Sequence, residues 1–182
     1  MVSHSKNVLI TGLPGSGKTT LIKALAVELK EYAPVGFYTE ELRLFRVRKG
    51  FQLRSLGQEK TSTLAHEDIR GPHRVGKYGV DLKSFEQFLD CLPLNNSTPR
   101  LIMIDEIGKM ECLSAKFREL ILALLAAPAP LIATIAQKAS GFINEIKLRQ
   151  DVHLITLTEK NRDALPHTIT GLIRSLPALA RP

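Results

Sequence analysis

The residues from Gly12 to Thr19 have the types and spacing needed to hold a polyphosphate, because they satisfy the pattern G-x-x-x-x-G-K-[ST] in full. Glycines let the backbone curl with its N–H groups pointing inward, and a following helix adds the positive end of its dipole. Lys18 can then reach the β- and γ-phosphates as a catalytic group, while the Thr19 hydroxyl can ligate Mg²⁺. The predicted nucleotide contacts are Gly12, Leu13, Pro14, Gly15, Ser16, Gly17, Lys18, Thr19 and Thr20.

A second motif places two acidic residues directly after an apolar run. The run from Leu101 to Ile104 leads into Asp105 and Glu106, which is the form of a Walker B strand. Such a strand is buried in a parallel sheet and delivers its acid at the carboxyl end, where ligands bind in open α/β sheets. Asp105 is therefore expected to hold Mg²⁺ through the ion's water shell. Glu106 is expected to orient or deprotonate a water that attacks the γ-phosphate.

Other polar residues leave their roles open. Lys109 and Glu111 could contact the transition-state phosphate or a neighbouring loop, or they could lie exposed on the surface. Thr134 could sense the γ-phosphate, although a satisfied core hydroxyl is the favoured interpretation. Arg162 follows the last predicted strand and could meet the base or ribose, with a solvated helix start as the alternative. Of these residues, only Arg162 is included among the predicted nucleotide contacts.

The elements that must position these motifs are predicted from apolar spacing, capping residues and prolines. The predicted strands besides Leu101–Ile104 are Asn7–Thr11, Gly36–Glu41, Leu131–Ala136 and Val152–Leu157. The predicted helices are Thr20–Leu29, 81–89 with Asp81 as its cap, Ser114 to Pro128 with Ser114 as its cap, about 140–149, and a last helix around Ile169–Arg174 after Pro166. The last residues, 177–182, are predicted to fray.

Between residues 42 and 79 the pattern changes. Leu42 to Val47 and Gly50 to Leu56 alternate apolar with basic residues around 48–50, which predicts an antiparallel hairpin with one solvated, positively charged face. A contact with phosphate or a role as a lid is the alternative for that face. From Gly57 to Gly79 the chain is predicted to be irregular, with a turn at Gly71 and Pro72.

Composition limits the class of protein. The chain has 182 residues, of which 44% are hydrophobic, so we expect a single domain, 1–182, with a real core. No apolar run approaches the roughly 18 residues that span a bilayer, and the first residues do not form a signal peptide, so we expect a cytoplasmic protein without a membrane partner. Cys91 and Cys112 lack metal-ligand spacing and are expected to be reduced thiols.

The net charge of +7 suits nucleic acid but also suits the steering of nucleoside triphosphates. Aromatic residues make up only 5% of the chain and Trp is absent, so little is available for base stacking. Nucleic acid is therefore a compatible partner but not a required one, and a monomer is favoured.

Four stretches in this order resemble the small P-loop nucleoside-triphosphatases: residues 36–41 (GFYTEE), 74–78 (RVGKY), 105–111 (DEIGKME) and 158–162 (TEKNR). The resemblance implies a three-layer α/β P-loop NTPase fold, RecA-like, with a mainly parallel sheet and an added antiparallel hairpin. It also implies Mg²⁺-dependent hydrolysis of several nucleoside triphosphates to the diphosphate. A further nucleotide-contacting segment is implied at Leu101, Ile102, Met103, Ile104, Asp105, Glu106, Ile107 and Gly108. The stretch 136–138 (AQK) departs from the proline-containing loop of that family, which leaves a sensor role there in doubt.

Three other functions remain open on the residues alone. A nucleotide kinase would use the same phosphate cradle to transfer the γ-phosphoryl group to an acceptor, with the basic hairpin as its lid or acceptor site. A regulatory GTP switch would fit the D-x-x-G spacing of Asp105 to Gly108, but Lys160 to Asp163 does not follow the N-K-x-D order that reads guanine. A nucleic-acid-stimulated ATPase would fit the positive charge.

Overall fold

The computed structural model describes residues 5–94, 99–138 and 141–179. Nine strands occur within these ranges: β1 (Asn7–Thr11), β2 (Val35–Leu44), β3 (Val47–Leu56), β4 (Thr61–His66), β5 (Arg74–Val75), β6 (Tyr78–Val80), β7 (Ile102–Ile107), β8 (Leu131–Ile135) and β9 (Val152–Thr156). The same ranges contain five α-helices: α1 (Lys18–Glu28), α2 (Leu82–Asp90), α3 (Ala115–Ala126), α4 (Phe142–Lys147) and α5 (Leu165–Arg174). The strands form one sheet in the order β5-β6-β4-β3-β2-β7-β8-β1-β9.

The half of the sheet from β2 to β9 in this order is parallel throughout. Every residue of β1 and β8 is buried, as expected for strands that are covered on both faces. One face packs against α1 and α5, and the other packs against α2 and α3. This confirms the predicted layered α/β fold with a mainly parallel sheet.

The order of the strands also determines which residues can meet at the carboxyl edge. Strand β8 lies between β1 and β7, and Thr134 on β8 is in register with Ile10 on β1. The residues that end β1, β8 and β7 therefore converge at one edge of the sheet.

The other half of the sheet is antiparallel, and here the predicted turn was wrong. Strand β2 continues without a break to Leu44 and pairs with Val47, so the turn is at Phe45 and Arg46 rather than at residues 48–50. Both turn residues have positive φ, 47° and 66°, the conformation of a two-residue hairpin turn that usually selects Asn or Gly. Gly50 lies instead within β3, where a Cβ would meet the carbonyl oxygen of Ala65 at 2.3 Å.

The prediction of an irregular segment from 57 to 79 was also wrong. Strand β4 pairs with β3, and the short strands β5 and β6 extend the sheet beyond it. Strands of two and three residues are too short to show a periodicity in sequence. They pair with each other, and β6 also pairs with β4.

The predicted caps are confirmed. Asp81 accepts a hydrogen bond from the Ser84 backbone N–H at 2.9 Å, and Ser114 accepts one from Phe117 N–H at 3.1 Å. Pro166 lies in the first turn of α5 rather than before the helix. The predicted helix start at Ser140 lies outside the described residues, as does the tail after Leu179. The prediction of fraying was wrong for residues 177–179, which form a 3₁₀ helix with Leu179 buried. Within the described ranges, none of the helices is long and apolar enough to cross a bilayer.

Candidate active site

The loop between β1 and α1 curls where its glycines adopt positive φ, 78° at Gly15 and 98° at Gly17. Helix α1 begins directly after Gly17, so its N-terminal N–H groups face the loop. The Lys18 ammonium donates hydrogen bonds to the carbonyl oxygens of Gly12 at 3.1 Å and Leu13 at 3.3 Å. The loop thus combines N–H groups, a helix N-terminus and one ammonium, which is a composition suited to phosphate.

Asp105 is the acid that this loop meets. Its side chain is almost fully buried, at 2% exposure, and both carboxylate oxygens are hydrogen-bonded. Thr19 donates to Oδ2 at 2.6 Å, and Thr134 donates to Oδ1 at 2.5 Å. Thr39 on β2 donates to the Asp105 backbone carbonyl at 2.7 Å. The two strands beside β7, which are β2 and β8, and helix α1 therefore hold this one residue.

The donors around Asp105 are oxygen atoms, the ligand type that Mg²⁺ prefers. Within the described residues, however, no group of three or more His, Cys, Asp or Glu side chains is arranged to hold a metal ion. Thr19 and Asp105 fit an ion that takes its remaining ligands from water and from phosphate oxygens, as Mg²⁺ does in nucleotide sites. Ser16 Oγ in the loop is buried without a hydrogen-bond partner among the described residues, which leaves a polar atom available there.

Two more carboxyl groups lie beside Asp105. Burial raises the pKa of Glu106, and the nearby Lys18 charge opposes that shift while Asp105 adds to it. Burial also raises the pKa of Glu111 to about 8, with a smaller contribution from the charge of Glu106. A Cβ at Gly108 would lie 2.7 Å from the Glu111 carboxyl oxygen and 3.5 Å from the Glu106 side chain. The two carboxyl groups are therefore packed around Gly108, and Glu111 is not a surface residue.

The cysteines differ in their surroundings. Both are free thiols, in agreement with the prediction. Cys91 is exposed at the end of α2, whereas Cys112 is half-buried next to Glu111. Burial, followed by the Glu111 charge, raises the pKa of the Cys112 thiol to about 12.

A cleft of about 770 Å³ opens over these groups. Lys23 and Arg54 both pair with Glu40, and the Lys23–Glu40 distance is 2.6 Å. This contact ties α1, which follows the phosphate loop, to strands β2 and β3. The cleft therefore has one wall in the parallel half of the sheet and the other in the antiparallel half.

The predicted site residues divide into those that line the cleft and those that do not. The lining residues are Pro14, Gly15, Gly17, Lys18, Thr19, Thr20, Asp105, Glu106 and Gly108. The predicted residues outside the lining are Gly12, Leu13, Ser16, Leu101, Ile102, Met103, Ile104, Ile107 and Arg162. Residues 101–104 are buried in the sheet and directly precede Asp105 in the chain. Arg162 is exposed on the loop after β9, where its Nε lies 3.7 Å from Asp163 Oδ1. Its contact with the nucleotide stays a prediction.

Sequence reasoning missed some residues of the cleft. Thr39 contacts Asp105 because β2 lies beside β7, and no local signal reveals that pairing. Phe51, Leu64 and Val75 line the far end of the cleft and come from β3, β4 and β5. The alternation of apolar and basic residues in β3 indicates a strand with two different faces. Only the pairing of the strands shows which of these faces lies toward Asp105 and Glu106.

Comparison with known proteins places the chain among nucleoside-triphosphatases. The model of the NTPase family matches residues 7–170. The nucleoside-triphosphatase THEP1 of Thermotoga maritima is 44% identical over 168 residues, covering 92% of this chain and 95% of that protein. The cancer-related nucleoside-triphosphatase homolog of Mus musculus is 37% identical, covering 94% of this chain and 98% of that protein.

The fold agrees with these sequence matches. The crystal structure of THEP1 from Aquifex aeolicus superimposes with a TM-score of 0.82 at 34% identity, covering 92% of this chain and 98% of that chain. The predicted three-layer P-loop fold is therefore confirmed, whereas the narrower RecA-like classification stays a prediction.

Proposed function

The chain is an enzyme of the nucleoside-triphosphatase family, and we propose that it hydrolyses nucleoside 5′-triphosphates, with Mg²⁺ and little base specificity, to the diphosphate and phosphate. The observation that carries the proposal is the 2.6 Å hydrogen bond between Thr19 of the phosphate loop and Asp105 of β7. It brings the two motifs into one site, with Glu106 as the next residue. The names of the relatives refer to nucleoside triphosphates as a class, which supports a broad substrate range.

In this proposal each residue has a distinct role. The loop N–H groups and Lys18 bind and orient the β- and γ-phosphates and neutralise their charge. Thr19 and Asp105 would hold Mg²⁺, which when bound would offset the negative charge that develops on the phosphate oxygens. Glu106 orients the attacking water and accepts its proton, a role that its raised pKa supports because a stronger base accepts a proton more readily.

Thr134 and Thr39 keep Asp105 in place from the neighbouring strands. The proposal needs no membrane, nucleic acid or second subunit, and we propose that the enzyme acts as a monomer on the nucleotides of the cytoplasm.

The test is phosphate release from ATP, GTP, CTP and UTP with Mg²⁺ and no other substrate. We expect release from all four, and a decrease of about 10²–10⁴-fold in kcat for Glu106→Gln, the range typical of general-base losses. Glu119→Gln makes the same change on the exposed surface of α3 and should behave as wild type.

Equal rates for wild type and Glu106→Gln would show that Glu106 is not the general base. Release from GTP alone would contradict low base specificity and favour the regulatory switch. Release that depends on added oligonucleotide would favour a nucleic-acid-stimulated ATPase.

A further inference from the structure

The cleft does not end at the carboxyl groups that face the phosphate loop. Beyond Glu106 and Glu111 it continues to a second end, which is lined by Phe51 of β3, Leu64 of β4 and Val75 of β5. Met110, from the loop after β7, also lines the cleft. In the proposed hydrolysis the attacking water needs only the space between Glu106 and the γ-phosphate. Hydrolysis therefore does not require this second end.

The second end lies on the side away from the proposed nucleoside position. The loop after β9, which carries Arg162, lies at one edge of the sheet, and β5 lies at the opposite edge. If the triphosphate lies along the loop with its γ-phosphate beside Asp105, as in the proposed function on which this inference rests, the second end begins where the γ-phosphate ends. A molecule bound there would face Glu106 and the phosphorus atom.

The walls of the second end are largely apolar, although the Arg48 guanidinium also lines the cleft and lies over the Phe51 ring, 5.2 Å from its centroid. Leu64 is 1% exposed, and Phe51 packs edge-to-face on Tyr78 with ring centroids 5.2 Å apart. Such walls gain free energy by covering apolar groups of a ligand, and they gain nothing from water.

The charge next to these walls is already compensated. Arg48 donates to Glu41 at 2.8 Å and to the Tyr78 hydroxyl at 3.0 Å. Glu106 also lines the cleft, and its carboxylate would disfavour a second anion beside the γ-phosphate. The chemistry of the second end thus fits an uncharged molecule with an apolar body.

We propose that this end of the cleft is an acceptor subsite for a neutral alcohol with an apolar body. The alcohol oxygen attacks the γ-phosphorus in place of water, and a new oxygen–phosphorus bond forms. The bond between the γ-phosphorus and the β,γ-bridging oxygen breaks, and its electron pair leaves with the nucleoside diphosphate. The hydroxyl proton passes to Glu106. The products are a phosphate monoester of the alcohol and a nucleoside diphosphate, and no oxidant or reductant is involved.

The experiment measures how the γ-phosphoryl group divides between water and added alcohols. Wild-type enzyme turns over ATP with Mg²⁺ in equal concentrations of ethanol, butanol or benzyl alcohol, and ³¹P NMR quantifies phosphate and phosphate monoester. Each buried methylene should raise the ester-to-phosphate ratio about fourfold, or roughly 16-fold from ethanol to butanol. Benzyl alcohol, which can pack on Phe51, should also exceed ethanol.

Two variants test whether the subsite causes this preference. Val75→Phe and Met110→Phe each fill the second end and should return the ratio for butanol to that for ethanol. Val27→Phe makes the matched change at a 70% exposed position of α1 and should keep the wild-type preference.

The outcomes separate this inference from the proposed function. If every alcohol yields only inorganic phosphate and no phosphate monoester, the acceptor subsite is refuted and the proposed hydrolysis stands. A preference for butanol that survives in both filled variants would also overturn it. Ester without hydrolysis in plain buffer would uphold the subsite and overturn the hydrolase, and the absence of both products would overturn both.

Discussion

In the parallel half of the sheet the important polar groups are buried and paired, whereas in the antiparallel half they lie at the surface. Asp105 is almost inaccessible and receives hydrogen bonds from Thr19 and Thr134. At the tip of the β2–β3 hairpin, Phe45 is 90% exposed, and the ion pairs of Glu41 with Arg43 and Arg48 are open to solvent. The first region fixes the position of reacting groups, and the second supplies a wall and a projecting edge.

This difference has an energetic side. Leaving a buried donor or acceptor without its partner costs about 1–3 kcal/mol, while an exposed ion pair contributes about 0–1 kcal/mol. The effect of a substitution on turnover or on the free energy of unfolding should therefore decrease from the phosphate loop to the hairpin tip. The following changes test that gradient, beginning with the largest.

Lys18→Ala removes the ammonium that lies over the phosphate loop. We expect kcat/KM for ATP to fall by about 10³-fold or more, together with the loss of nucleotide binding, because a charge that neutralises phosphate is lost. Steady-state kinetics and calorimetric titration with a non-hydrolysable ATP analogue measure the two effects. Lys83→Ala on the exposed surface of α2 is the control, and normal ATP binding by Lys18→Ala would refute the assignment.

Glu111→Gln tests the cost of a buried carboxyl group beside Glu106. Because the folded pKa is raised from 4.5 to about 8, the stabilising protonated form is fully present below pH 4.5 and is lost as the pH rises through 8. The wild-type free energy of unfolding should therefore fall over this window. Gln cannot ionise at position 111. The free energy of unfolding of the variant should therefore rise relative to that of wild type, by on the order of a few kcal/mol between pH 4.5 and pH 8.

Urea unfolding of both proteins at pH 5, 6.5 and 8 measures the difference, with Glu119→Gln as the exposed control. If the difference in the free energy of unfolding between the two proteins does not change with pH, the pKa of Glu111 is the same in the folded and unfolded states.

Thr134→Val keeps the shape of a buried side chain but removes the donor to Asp105 Oδ1. We expect a loss of about 1–3 kcal/mol in the free energy of unfolding, because one carboxylate oxygen is left unsatisfied. The Mg²⁺ concentration needed for half-maximal turnover should rise as well, since Asp105 is held less firmly. Thr134→Ser restores the hydroxyl and should recover the Mg²⁺ dependence, and failure to do so would mean that packing, not the hydrogen bond, matters at this position.

At the hairpin tip, the double substitution Phe45→Asn and Arg46→Gly should have the smallest effect and the opposite sign. Both residues have positive φ, which Asn and Gly tolerate better, so we expect a gain of about 1 kcal/mol in stability with unchanged ATP turnover. Thermal unfolding and steady-state kinetics provide the check. A marked loss of turnover would show that the tip takes part in the reaction and would remove the contrast between the two halves.

The same contrast explains what could be predicted from sequence. The phosphate loop and the run into Asp105 are local patterns, and so are the caps at Asp81 and Ser114; the loop, the run and both caps occur where expected. The partners of Asp105 depend on the strand order β2-β7-β8, which no local pattern contains.

The antiparallel half was harder to predict for a related reason. Its turn uses Phe45 and Arg46, residues that rarely take positive φ, so the glycine at position 50 was the more visible turn signal. Strands β5 and β6 are defined by pairing and not by periodicity. The far wall of the cleft, built from β3, β4 and β5, therefore became visible only in the folded chain.

The unequal surroundings of the two thiols offer a means of observing the molecule at work. Maleimide reagents attack thiolates, so at neutral pH they should modify the exposed Cys91 and leave Cys112, whose pKa is about 12, almost untouched. A fluorophore can thus be attached at one position of the natural sequence. Cys91 ends α2, which packs against β4 of the antiparallel half. A dye at that position would report changes in the antiparallel half when ATP or an alcohol enters the cleft, without altering any residue that lines it.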